Sequence, residues 1–197
     1  MTKITSSKDI IMLLLYARGH KGELCEPIQG RTRLMKMVFL FKEEILKKFN
    51  FKTKISEVAL PDFSAYDYGP FSEKVYTDLE FLVGTGFVKV RQLKFSGPDQ
   101  DTEVEETLEY EHWQANLGER DELTEYVDRI DEFRLSDQGE DFVSNGDYLG
   151  KFSKEQTEVL NKFKARCTGI SLDTLLRYVY VNYPEMIVKS KIKEKYK

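Results

Sequence analysis

Apolar residues recur along this chain in blocks whose spacing changes from helical to alternating and back, and that change sets the expected order of elements. Residues 9–18 form a nearly continuous apolar stretch and predict a first helix at the centre of the core. Residues 19–30 hold three glycines and Pro27 and read as a loop. In residues 32–49, Leu34, Met37, Val38, Phe41, Ile45 and Leu46 fall at helical spacing. Lys36, Lys42, Lys47 and Lys48 are expected on the opposite face. Residues 51–60 alternate weakly, as a strand or an extended loop would, before a turn at Pro61 and Asp62.

The next helix is expected over about 70–83, with Pro70 in its first turn, Gly69 as the bend, and Val75, Leu79 and Leu82 facing the core. Gly84 and Gly86 supply its stop, since glycine tolerates a left-handed C-cap. Residues 87–95 (FVKVRQLKF) alternate as a strand, with residues 130–135 as the expected partner. Ser136 is placed as the N-cap of a short helix over 136–143. Two helices close the chain, 153–166 with a Ser153/Gln156 capping box and 171–183 stopped by Pro184. Three helices, a strand, a wing, a strand and further helices predict a mainly α (α+β) fold: a winged helix-turn-helix-like core with a β-hairpin wing and a C-terminal helical extension. The expected units are 1–145, carrying an insert at about 96–130, and 146–197, ending in a Lys-rich tail.

Composition supports a folded chain: 41% hydrophobic and 13% aromatic residues supply a core. The longest apolar run falls well short of the roughly 20 residues a membrane span requires, and no cleavable leader is evident. A soluble, cytoplasmic protein is the expectation. Cys25 and Cys167 are two lone thiols rather than a disulfide framework.

Charge changes the picture more. The net charge of −4 hides an asymmetry, because residues 99–132 hold 14 acidic and two basic residues, leaving 28 basic against 20 acidic elsewhere. That insert is either a solvated loop or an acidic surface that shields the body or mimics nucleic acid.

Candidate chemistry is sparse. His20 and His112 are the only histidines, neither with a second His or Cys at ligand spacing, so no metal and no cofactor is expected. No phosphate loop, dinucleotide fingerprint or nucleophile elbow occurs. A carboxylate pair such as Asp62 with Asp67 is the remaining catalytic candidate, and a non-enzymatic role is the expectation. In a winged helix, the helix before the wing reads the major groove. Here its outward residues are expected to be Ser72, Glu73, Lys74, Thr77, Asp78 and Glu80, a net of −2 and a poor match to a polyanion.

Gly30 to Glu44 (GRTRLMKMVFLFKEE) and Phe63 to Val88 (FSAYDYGPFSEKVYTDLEFLVGTGFV) carry a resemblance. Leu34, Lys36, Phe39 and Leu40, then Tyr66, Tyr68, Gly69, Pro70, Val75, Leu79, Leu82 and Gly86, resemble the Panacea (SocA-like antitoxin) group. The related YwgA-like proteins of bacteria and archaea are more similar still, and SLDTLLRYVYVNYPEM (Ser171 to Met186) resembles the C-terminal motif of that branch. The resemblance implies a module that binds an unrelated protein directly, antitoxin-like or linked to phage and defence genes.

Two site hypotheses follow. Arg31, Thr32, Arg33 and Lys36 open a helix with positive charge, where the macrodipole prefers negative. With Tyr66 and Tyr68 they form the expected partner-binding region, against the alternatives of internal ion pairing and of core-packed tyrosines. The other hypothesis is a nucleic-acid binder using Lys89, Arg91 and Lys94 of the wing with Lys189, Lys191 and Lys193 of the tail. That tail otherwise reads as a frayed helix end. The partner's identity and the oligomeric state, a dimer among the options, stay open.

Overall fold

A computed structural model describes residues 4–94, 129–145 and 151–196. The fold is mainly helical with a small antiparallel sheet. Helix α1 (Ser7–Tyr16) starts where the Ser6 side chain accepts a hydrogen bond from the Lys8 amide, and Asp9 complements the positive end of its dipole. Ile10 to Leu15 are all buried, so α1 runs through the interior.

The segment expected to be a loop contains a two-residue strand, β1 (Ile28–Gln29), too short to leave a period in the sequence. Gly30 then takes φ +91°, which glycine permits at low cost, and turns the chain into α2 (Arg31–Leu40). Thr32 to Leu40 are nine consecutive buried residues. Over these residues the expected polar face is therefore absent: β1, residues 69–71 and the helices at 73–84, 154–168 and 172–182 pack around them, and Lys36 is enclosed with the rest, whereas Lys47 and Lys48 are exposed as expected. A π-turn (Phe41–Ile45) and a last short turn, α3 (Leu46–Lys48), follow.

Residues 51–60 are neither a strand nor fully extended. They make 3-10 turns at Phe51–Thr53 and Glu57–Ala59, with one parallel bridge between Ile4 and Ile55. Pro70 is also placed differently from expectation. Strands β2 (Ser64–Tyr66) and β3 (Gly69–Phe71) form a hairpin around Asp67 and Tyr68, with Pro70 opposite Ala65. A two-stranded hairpin leaves edge positions where a missing N–H is harmless, so the proline fits there as well as in a helix. Helix α4 (Glu73–Gly84) begins only after Ser72.

Strand β4 (Val88–Lys94) pairs with β5 (Arg129–Leu135) from Val88↔Leu135 to Lys94↔Arg129, and β1 adds to the other edge of β5. The order is β1-β5-β4, antiparallel throughout. The insert at about 96–130 lies almost wholly outside the described residues, and so does His112. Helix α5 (Asp137–Asn145) carries the expected cap, the Ser136 hydroxyl accepting from the Gly139 amide at 3.1 Å. Helix α6 (Lys154–Thr168) has the expected Ser153/Gln156 capping box, and α7 (Leu172–Asn182) ends before Pro184. Leu160, Cys167, Leu172, Leu175, Leu176 and Val179 from these two helices join the same apolar core as α1, α2, α4 and the sheet. Among the described residues no helix is long and apolar enough to cross a membrane.

Candidate functional site

Three separated sequence motifs converge beside α2. Lys36, fully buried, donates from Nζ to the Pro70 carbonyl at 3.1 Å and so fastens the Tyr-Gly-Pro hairpin to the helix. Gly69, at φ +92°, lies against Tyr180 of α7, whose ring would stand 3.2 Å from a Cβ placed there. Tyr66 stacks on Phe71 with ring centroids 4.7 Å apart, and Tyr68 is buried.

The remaining residues of the expected partner site are also turned inward. Arg31 donates from Nε to the Asp131 carboxylate at 2.9 Å and lies over the Phe133 ring. Thr32 is buried. Arg33, also buried, donates from one terminal nitrogen to the carbonyls of Cys167 (2.7 Å) and Ile170 (2.8 Å), where α6 runs out of internal donors. The cations at the start of α2 thus answer carbonyls and one carboxylate within the chain. Internal pairing was the expected alternative, with Asp67, Glu73 or the acidic insert as the source of the carboxylate; the partner is Asp131, at the end of the acidic stretch 99–132.

The basic residues of the second hypothesis divide. On the outer side of the sheet Lys89 and Arg91 are exposed, and Lys89 lies directly across from the exposed Arg134. Lys94 closes β4, and its side chain lies outside the described residues. The tail is not a frayed helix. Lys189 is exposed and Lys193 half-buried, but Lys191 pairs with Asp67 at 2.6 Å and Tyr196 is buried. Lys197 lies outside the described residues.

Helix α4 exposes most of the expected face, with Ser72 and Asp78 as the exceptions and Phe81 added. Asp78 and Ser72 are buried. Asp78 accepts from the Ser7 hydroxyl and meets Lys8 (3.0 Å) and Lys74 (3.3 Å), which ties α4 to the start of α1. What faces solvent is Glu73, Lys74, Thr77 and Phe81, with Glu80 half-buried. The Phe81 ring is 53% exposed and sits beneath the Lys8 ammonium, 4.7 Å from its centroid. The sequence carries the signal for this, since Phe81 falls off the Val75–Leu79–Leu82 stripe.

A further residue was missed outright. Lys164 is fully buried in α6, and its ammonium donates to the carbonyls of Leu15 (2.7 Å), Ala17 (2.8 Å) and Glu26. Its position between Leu160 and Cys167 on the core-facing stripe of α6 is the signal that could have found it. Burial pushes this ammonium down to about 7, against the pull of Cys25 and Glu26. Burial likewise pushes the free thiols up, Cys25 to about 11 and Cys167 to about 12. Nearby, the Glu26 carboxylate takes the Lys21 amide (2.9 Å) and meets His20 Nδ1 (2.7 Å). Glu44, in the π-turn, accepts from the hydroxyls of Tyr178 (2.8 Å) and Tyr183 (3.0 Å), and burial together with that carboxylate drives Tyr178 up to about 12. Among the described residues no three His, Cys, Asp or Glu side chains lie together as a metal site requires. Compared with known protein families, curated proteins and solved structures, the chain matches none.

Proposed function

We propose that this protein is a cytoplasmic, non-enzymatic winged-helix module that binds another protein through the exposed face of α4. The succession α1, β1, α2, α4, β4, β5, with α3 and the β2–β3 hairpin inserted between α2 and α4, and the sheet order β1-β5-β4 support the winged-helix assignment, since α4 stands just before the β4–β5 pair as a recognition helix does. The observation that carries the function is Phe81. A large aromatic ring more than half exposed, beneath the Lys8 ammonium and on a face shared with Glu73, Lys74 and Thr77, suits a protein interface, and this face has no excess of cations to offer a duplex. The resemblance to the Panacea and YwgA-like proteins points the same way, toward an antitoxin-like or defence-linked binder, although the contact surface is α4 and not Arg31–Lys36.

The test is photo-crosslinking in cells that express the protein naturally, with a photoreactive phenylalanine analogue at position 81 and, as control, at exposed position 158. A discrete, nuclease-resistant protein adduct at 81 and not at 158 is expected. No adduct at 81, or the same products at both positions, overturns the reading.

One observation favours a second reading. Lys89 and Arg134 are like charges on directly opposed strand positions, a repulsion that the exposed Lys89–Asp137 pair at 3.4 Å offsets weakly and that an anionic ligand spanning both cations would relieve further. A nucleic-acid backbone would do so. On that reading duplex binding weakens as salt rises, and Lys89→Ser with Arg134→Ser lowers the log–log salt slope by about 2.

A further inference from the structure

After α7 the chain reverses and lies across the tip of the β2–β3 hairpin, held there by a specific set of polar contacts. The Lys191 amide donates to the Asp67 carbonyl at 2.8 Å, and the Lys191 ammonium meets the Asp67 carboxylate at 2.6 Å. The Ser190 hydroxyl donates to the same carbonyl at 3.1 Å and lies 2.6 Å from the Tyr180 hydroxyl. Further on, the Tyr196 ring packs edge-on against Tyr180 at 4.9 Å, and its hydroxyl donates to Asp173 at 3.0 Å. Each contact reads a feature of a compact basic segment that ends in a 3-10 turn (Lys193–Tyr196): a main-chain N–H, a hydroxyl, an ammonium and, five residues on, a phenol.

We infer that the cleft between Asp67–Gly69 and α7 is a peptide-binding groove for a lysine-bearing segment of the form Ser-Lys followed five residues later by Tyr, filled here by the chain's own tail. The occupant's chemistry follows from complementarity. The walls bring Asp67 and Asp173, and the seated segment brings Lys191 and Lys195, the latter 3.7 Å from Asp173. The polar end of the fastening is open to water, while Ile192 and Tyr196 pack against the core. The Lys191 side chain is 55% exposed, and an ion pair so open to water holds weakly. The expected partner is a protein that presents such a basic segment and displaces the tail. This surface is separate from the α4 face, so failure of either proposal leaves the other standing.

The test uses the full chain and a fluorescent peptide of residues 190–197, SKIKEKYK. Fluorescence anisotropy is expected to show weak binding to the wild type, because the tethered tail competes. A chain with Ser190→Ala and Lys191→Glu, whose own tail is loosened, should bind the peptide at least about tenfold more tightly, and adding Asp67→Lys should remove that gain. Hydrogen exchange on the wild type gives a second readout: the Lys191 amide is expected to exchange at least about 100-fold faster than the amides of Leu176 and Val179. The inference is overturned if the peptide binds none of these chains, if it binds the Asp67→Lys chain equally well, or if Lys191 exchanges only with the core of α7.

Discussion

The cations of the helical body and those of the sheet are the same residue types in opposite roles. In the body, Lys36, Arg33 and Lys164 are buried, and each ends on main-chain carbonyls of an element distant in sequence. On the sheet, Lys89, Arg91 and Arg134 stand in solvent. A buried charge is tolerated only when hydrogen-bonded, and helix C-termini offer carbonyls with partial negative charge. Lys164 of α6 closes the end of α1, Arg33 of α2 closes the end of α6, and Lys36 holds the hairpin. Buried positive charge here is a set of staples between helix ends and turns, so charge counted along the chain misjudges what the surface presents.

The largest effect is expected at Lys164. Lys164→Met keeps most of the aliphatic stem but leaves three buried carbonyls without their donor, which should cost about 3–5 kcal/mol in urea unfolding. A loss under about 1 kcal/mol would show that water or a backbone shift satisfies those carbonyls and would end the staple account. Arg33→Met removes two buried bonds from one nitrogen and is expected to cost about 2–3 kcal/mol, with Lys36→Met slightly less. In both variants the unfolding slope should stay unchanged.

The same lysine gives stability a pH dependence of defined sign. Its folded-state pKa, about 7, lies below the ordinary lysine value. Above pH 7 the unfolded chain therefore holds a proton the folded chain has released, and stability rises with pH. Below pH 7 both states are protonated and this contribution is flat. From about pH 8 the unfolded thiols begin to ionise while Cys25 and Cys167 stay protonated in the fold, which opposes the gain. Between pH 7 and 9 the wild type is expected to gain about 1–2 kcal/mol and Lys164→Met to gain none. Parallel profiles would mean the carbonyl tripod keeps the ammonium charged.

Much of the fold was legible because period and punctuation agree. The β4–β5 pairing, the Ser136 and Ser153 caps and the stop at Pro184 each follow from local chemistry. The misreadings have tertiary causes. Lys36 looks like a surface residue until β3 supplies a carbonyl for it, and Pro70 fits a helix start as well as a hairpin edge. Asp78 reads as outward until Ser7 and Lys8 arrive from α1. The candidate site was half legible for the same reason: the motif residues do come together, but as an internal clasp whose partners lie far away in sequence.

The smallest expected effect tests the other side of the comparison. Lys89 is 60% exposed, sits across from Arg134, and meets the fully open Asp137 at 3.4 Å. Like charges directly opposed on a strand pair repel by a few tenths of a kcal/mol, and an exposed ion pair returns about as much. Lys89→Ser should therefore change stability by less than about 0.5 kcal/mol in either direction, and Arg134→Ser should behave alike. Because either substitution alone already relieves the one Lys89–Arg134 repulsion, the double variant should lose slightly more stability than the two singles summed. A loss above about 1 kcal/mol at either position would mean that the sheet cations carry structural work as the buried ones do. The contrast between staples and solvent-facing charge would then fail, and with it the reason for treating this face as available to a polyanion.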